Sequence, residues 1–524
     1  MEAAQVLIDG QWRKAEGDVA TFHATNPATG ETLALPFPIS GWDDCDAALS
    51  AAARAAKELR ALTPDQLAAF LDTYASNIEL ASAAIVEAAN QETGLPASPR
   101  LKDNELPRTA NQLRQAAAAA REESWKRPIL DLERNIRSCF APIGPVLIFG
   151  PNNFPLAFNG ISGGDFASAI AAGNPVIAKA HPLHPNTSRL LAEEARKAAV
   201  ETGLPLGAIQ MIYNISNENG LKLVSDLRVG AVAFTGSRTA GLNLKRAADE
   251  AGKPIYLEMS SINPVILLPG VLTEREDQLA SELADSCLAG AGQMCTSPNL
   301  ILLSEGQPAK NLLAHFAKII DERAPQPLLS LAGRAHMQTG VTVLISASAH
   351  LVTGGHVMDG PGYRYANTLL QTTANQFISR PDELQREVFG NVTMAITFHD
   401  IEELKSILDL LEGNLTGSIY SAQSGADDDI YREIEPLLRE KVGRLLNDKV
   451  PTGVAVSPAM NHGGPFPATS HPGFTSVGIP AALTRFAALQ CYDNVREERL
   501  PAVLRNSIRN PDTWRSINGA WIRG

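Results

Sequence analysis

The sequence predicts an α/β protein in which a doubly wound parallel sheet is followed by a second α/β domain, with an extended arm outside both. Three features carry that expectation. Short apolar runs alternate regularly with helix-like stretches from residue 143 to 259, a second alternating block opens at Asn263-Pro-Val-Ile-Leu-Leu, and a segment at 125–140 fits neither pattern.

Taken in order, residues 43–93 read as helical. Asp43 and Asp44 open an Ala-rich stretch, Thr63-Pro64 offers an N-cap followed by proline at the first helical position, and Leu67, Phe70, Leu71, Tyr74 and Ile78 keep helical spacing until Gly94-Leu95-Pro96. A further Ala-rich helix is expected over about 103–123. The segment WKRPILDLERNIRSCF mixes charge with bulky apolar residues and suits an exposed hairpin. Apolar runs then fall at 145–150, 175–180, 209–213, 230–235 and 254–259, with helix-like stretches at 163–172, 186–202, 217–226 and 239–251 between them. That alternation predicts parallel strands joined by right-handed crossovers. Beyond it, a helix over about 274–289 and a strand over 300–303 mark the second domain. The expected division is 1–123 with 143–259, then 260–470, then an arm of 124–142 with 471–524.

At 524 residues the chain exceeds one ordinary core. Its formal charge of -12 argues against nucleic acid or an anionic membrane as a partner, because both attract excess Lys and Arg. Five cysteines without a CxxC pair point away from a disulfide framework or zinc site and toward a reducing cytoplasm. The N-terminus lacks the pattern of an export signal, and no apolar run approaches a membrane span.

Four turns hold the residue types that catalysis uses. Cys295, in Gly292-Gln-Met-Cys295-Thr-Ser-Pro, lies in a turn where a thiol can be exposed enough to act as a nucleophile. Glu258 ends the last run of the first block, at the carboxyl edge where ligand sites form and where a carboxylate can serve as a general base. Asn153 sits between Pro151 and Pro155 in a stiff turn and can offer its amide to an oxyanion. Gly236-Ser237-Arg238 joins a strand to a helix start, whose free N–H groups favour a phosphate. Each alone has an ordinary reading, as a buried thiol, a solvated carboxylate, an Asn-rich turn and a common strand-to-helix connection.

Together, in order, GPNNFPLAF, PVIAKAHP, FTGSRTAG, YLEMSSINPV, GQMCTSP and Gln385-Arg-Glu387-Val-Phe389-Gly make the chain resemble the aldehyde dehydrogenase superfamily over about 8–490. The resemblance implies oxidation of a small-molecule aldehyde to a carboxylic acid with NAD or NADP. It assigns Cys295 as nucleophile, Glu258 as base for the hydrolytic water, and Asn153 with the Cys295 backbone N–H as oxyanion donors. It also assigns Lys179 to the adenosine ribose, Gly236 and Ser237 to the pyrophosphate, and Glu387 with Phe389 to the nicotinamide ribose. Two loops depart from the usual pattern: Asn152 stands where Trp is usual, and Ser260-Ser261 where Gly-Gly is usual.

Pro182 occupies the position, three after Lys179, where NAD-using members commonly carry Glu. Without that acid a 2′-phosphate meets no repulsion, and Lys179 with Arg238 is expected to attract it, so NADP is preferred over NAD. GGDFASAIAAGNPVIAKAHPLHP and HGGPFPATSHPG look similar to the branch holding α-ketoglutarate semialdehyde and bacterial fatty-aldehyde dehydrogenases. His181, His184, His462 and His471 read as ordinary loop histidines, and no metal is expected. The substrate entrance is expected around Phe158, Ile161 and 456–472. The arm and the tail from Trp514 are expected to join subunits as a homodimer or homotetramer. Transfer of the acyl group to CoA or phosphate is the rival chemistry, which Glu258 argues against. A non-catalytic binding protein would lack nucleophile, base or oxyanion donor, and none is missing.

Overall fold

A computed structural model describes residues 2–17 and 20–524. The N-terminal helices are Trp42–Leu59, Pro64–Leu80 and Ser82–Thr93. Thr63 caps the second: its hydroxyl accepts from Gln66 N, and the Gln66 side chain returns to Thr63 N at 2.8 Å, a reciprocal capping box. Gly41, not an aspartate, is the N-cap of the first, and Asp43 and Asp44 lie in its first turn. The expected helix at 103–123 runs Leu106–Glu122, preceded by a wider turn, Ala97–Glu105, that buries Glu105.

The first sheet has seven strands, in the order Ile255–Glu258, Ala231–Thr235, Val146–Phe149, Val176–Lys179, Ile209–Ile212, Val6–Ile8 and Gln11–Arg13. The first five are parallel and the last two are antiparallel additions from the N-terminus. Their crossover helices are Gly164–Ala171, Pro185–Thr202, Asn217–Ser225 and Arg238–Glu250. Register aligns the carboxyl ends: Phe149 faces Lys179 and Phe234, and Thr235 faces Glu258. Near-continuous burial along Val146–Phe149 and Ile209–Ile212 is what a sheet covered on both faces requires.

A second seven-stranded sheet, mostly parallel, runs His350–Thr353, Thr368–Thr373, Val392–Phe398, Leu300–Ser304, Val265–Leu267, Asn414–Tyr420 and Val442–Asn447. The segment at 125–140 forms the antiparallel pair Ile129–Asp131 and Ile136–Pro142, although Trp125 at its start is buried in the first core. It joins Ala487–Asp493, Trp514–Ile517 and Ala520–Arg523 in a five-stranded sheet. The stretch 471–524 is thus not one unit, because Ile479, Ala482, Leu483 and Phe486 pack into the first domain's core before the chain enters the arm. Trp514 and Trp521 are about half exposed on the single chain, at 48% and 50%. Among the described residues no helix is long and apolar enough to cross a membrane.

Candidate active site

Glu258 is placed by the last residue of a parallel strand and then clasped from the second domain. Met259 N donates to Ala468 O at 2.8 Å and Ser470 N to Leu257 O at 3.3 Å, so the 468–470 segment runs along the strand end. That clasp brings His462 and Ser476 over the carboxylate. His462 Nε2 lies 3.0 Å from Glu258 Oε1, and Ser476 Oγ donates to Glu258 Oε2 at 3.3 Å.

Cys295 follows a sharp turn in which Gly290, Ala291 and Gly292 all have positive φ. At Gly292 this backbone is compulsory for glycine, since a Cβ there would overlap the carbonyl of Gly390. Asn263 ties the loop down, donating its amide to Cys295 O and Ser297 O, each at 2.9 Å. Asn153 Nδ2 donates to Gln293 O at 2.9 Å, which sets the oxyanion candidate against the nucleophile's loop.

The thiol Sγ is 3.3 Å from His462 Nε2, and the donor atoms of Cys295, His462 and Glu258 all lie within 4.8 Å of one another. Burial alone would push the His462 imidazolium down, but Glu258 and Cys295 more than offset it and raise its pKa to about 10. Burial raises the carboxyl of Glu258, yet the adjacent imidazolium pulls it below its usual value. The Cys295 thiol is pushed up by burial in spite of His462. The cluster thus sets a thiol whose ionisation burial opposes beside a histidine and a carboxylate that favour each other's charged forms.

On the cofactor side, Lys179 ends its strand where burial lowers its ammonium to about 8. Gly236 passes over Phe234 so closely that a Cβ would come within 2.8 Å of the ring, and Ser237 caps helix Arg238–Glu250. Glu387 and Phe389 are half-buried; burial pushes the Glu387 carboxyl up to about 7 against the pull of Ser261 N–H and the Ser260 hydroxyl. An ammonium with no fixed counter-ion, a capped helix start and an underused carboxylate fit the ribose, phosphate and ribose ends of a dinucleotide.

Two expectations change, and a third residue gains a partner. His462 is not an ordinary loop histidine: it is 2% exposed and bridges nucleophile and base, because the loop that carries it folds back onto the first sheet. The Arg238 guanidinium, expected at the cofactor phosphate, also pairs with Glu412 in a partly exposed bridge, Nη1 to Oε2 at 2.9 Å, and lies over the Phe466 ring. Ile161 is fully buried in the core, whereas Phe158 does face the site, 6.0 Å from the His462 ring. Sequence reasoning also missed Ser476 and Asn263, whose partners lie 218 and 32 residues away.

A parallel-sheet domain whose ligand edge ends in a carboxylate, joined to a second α/β domain that brings a cysteine and a histidine to the same point, defines an enzyme of the cysteine-nucleophile class. Residues 12–437 match the model of the aldehyde dehydrogenase family, and the chain belongs to that family. It is 36% identical over 504 residues to alpha-ketoglutaric semialdehyde dehydrogenase 2 of Azospirillum brasilense, with 94% of each chain covered. It is 34% identical to alpha-ketoglutaric semialdehyde dehydrogenase of Acinetobacter baylyi, with 98% of each covered. The fold matches PnpE from Pseudomonas sp. WBC-3 with a TM-score of 0.80 at 22% identity, over 94% of this chain and 97% of that one. The chain is an oxidoreductase acting on aldehydes, in a family that uses NAD or NADP.

Proposed function

We propose that the chain oxidises α-ketoglutaric semialdehyde to its dicarboxylic acid with NADP in preference to NAD, through a thioester on Cys295. The observation that carries the chemistry is the contact of Cys295 Sγ and Glu258 Oε1 with the same nitrogen of His462. The thiol proton passes to the Glu258 carboxylate, and the His462 imidazolium stabilises the thiolate left behind. Sγ attacks the aldehyde carbon, and the oxyanion is held by Asn153 Nδ2 and the Cys295 backbone N–H. The bound nicotinamide supplies the hydride acceptor. Glu258, having released its first proton, takes one from water; that water adds to the thioester, and the carboxylate product leaves as Sγ is freed.

The substrate reading rests on the two semialdehyde dehydrogenases that resemble the chain over nearly its full length. The cofactor reading rests on Lys179, without a neighbouring acid at Pro182, together with Arg238, which is shared with Glu412 in a partly exposed bridge. PnpE, which shares the fold, has been solved in complex with nicotinamide adenine dinucleotide, in keeping with a nicotinamide dinucleotide as the cofactor. We infer a homo-oligomer from the arm, whose last strand, Ala520–Arg523, is exposed along its whole length, and a cytoplasmic location from the five cysteines without a CxxC pair. The test is kcat/KM for α-ketoglutaric and succinic semialdehydes and for short and long aliphatic aldehydes, each with NAD and NADP. A preference for α-ketoglutaric semialdehyde with NADP supports the reading, and a preference for long aliphatic aldehydes contradicts its substrate.

A further inference from the structure

Two guanidinium groups near the nucleophile, Arg108 and Arg444, make no direct salt bridge among the described residues, although the charge of Glu105, itself paired with Arg100, reaches Arg108. Arg108 comes from the first turns of helix Leu106–Glu122 and Arg444 from the strand Val442–Asn447, so they approach from different domains. Both grip the same loop: Arg108 Nη1 donates to Val454 O at 2.7 Å, and Arg444 donates to Gly453 O at 3.0 Å and Pro451 O at 2.6 Å. That loop rests on the residue after the nucleophile, with Gly453 N donating to Thr296 Oγ1 at 3.3 Å. Arg108 also lies 5.2 Å from the centre of the Phe158 ring, the ring that faces His462.

The arrangement leaves donors unused. Arg108 Nη2 and Arg444 Nε are buried and have no hydrogen-bond partner. Neighbouring Arg100 also has a buried Nε without a partner, but its charge is paired with the buried carboxylate of Glu105. Burial weakens the proton hold of both Arg108 and Arg444; Glu105 and then Cys295 oppose it at Arg108, and Cys295 opposes it at Arg444. Burying two like charges with no directly paired anion is costly, and the cost falls when an anion arrives. A planar guanidinium pair is suited to a carboxylate, because several N–H groups converge on its two oxygens.

We propose that Arg108 and Arg444 form a carboxylate-recognition site at the mouth of the Cys295 pocket, which seats the far carboxylate of a semialdehyde and so selects ω-carboxylated aldehydes over neutral ones. The proposal rests on the reading of the chain as a semialdehyde dehydrogenase and names the residues that make it one. A carboxylate held here turns the other end of a short substrate toward Sγ, so recognition also orients the aldehyde. Phe158 and Phe154 wall the route, which keeps the ion pair out of bulk water and strengthens it.

The test uses the full-length enzyme and its Arg108→Gln, Arg444→Gln, Arg108→Lys and Arg444→Lys variants. kcat/KM is measured for α-ketoglutaric semialdehyde and for pentanal, together with inhibition of pentanal oxidation by glutarate. Each Gln variant is expected to lose about ten- to a hundredfold on the semialdehyde, mostly in KM, with pentanal changed less than about threefold and glutarate inhibition weakened in parallel. The Lys variants keep the charge without the fork, and their losses on the semialdehyde are expected to be smaller. A variant that loses both substrates equally, or keeps the wild-type glutarate inhibition, overturns the recognition site while the semialdehyde reading stands. A wild-type enzyme that oxidises pentanal and no semialdehyde overturns that reading itself, and the recognition site with it.

Discussion

Cys295 Sγ and His462 Nε2 stand 3.3 Å apart although 167 residues separate them in the chain. The contact puts a histidine whose charged form Glu258 favours beside a thiol that burial would otherwise keep protonated. Replacing His462 with Gln removes that charge but keeps a polar side chain of similar reach. The thiol pKa rises, so alkylation of Cys295 by iodoacetamide shifts to higher pH, and kcat/KM falls by about a hundredfold to a thousandfold. An unshifted alkylation profile would show that the imidazolium does not govern the thiol.

Cofactor affinity is expected to depend on pH through two groups. Glu387 is ionised only above about 7, and a carboxylate accepts ribose hydroxyls better than the acid, so binding tightens as pH rises through that value. Lys179 keeps its charge only below about 8, so attraction for a phosphate is lost as pH rises further. Affinity for NADP should peak between the two. By fluorescence titration, Glu387→Gln should abolish the acid limb and Lys179→Met the alkaline limb.

Pro182 leaves the ribose pocket without an acid. Introducing one by Pro182→Glu should shift kcat/KM from NADP toward NAD by about 1–2 kcal/mol, the scale of a charge-assisted hydrogen bond gained by one cofactor and a repulsion gained by the other. Steady-state kinetics with both cofactors decides this, and equal use of NAD by the unmodified enzyme would remove the ribose argument.

The turn before the nucleophile is expected to tolerate no side chain. Gly292→Ala places a Cβ against the Gly390 carbonyl at a left-handed φ of 66°, and should cost about 1–3 kcal/mol of stability. Because the same turn aims Cys295, kcat should fall by more than the loss of folded protein explains. Thermal unfolding and activity measured on one preparation separate the two effects.

Much of the scaffold was readable because local signals agreed with the global fold. The apolar runs at 176–179 and 255–258 end in Lys179 and Glu258, and a charged residue ending a buried strand marks the sheet's ligand edge from sequence alone. The N-cap at Thr63, followed by Pro64, was equally local. His462 was not readable, since its Gly- and Pro-rich surroundings carry no period and its meaning comes only when that loop folds onto Glu258. The same holds for Arg238, whose partner Glu412 is 174 residues distant, and for 479–486, which returns to the first core without any repeating pattern. Contacts of that kind are set by tertiary closure and leave no trace in periodicity.

The claim that aldehyde oxidation runs through a thioester on Cys295 is tested most directly by trapping that thioester. Glu258→Gln cannot activate the hydrolytic water, and at alkaline pH the thiol can still lose its proton to solvent. Mixed with α-ketoglutaric semialdehyde and NADP and quenched in acid, this variant should carry one acyl group on the peptide containing Cys295, matched by one reduced cofactor per site. An unmodified Cys295 peptide beside reduced cofactor, or an acyl group on another residue, would contradict the account.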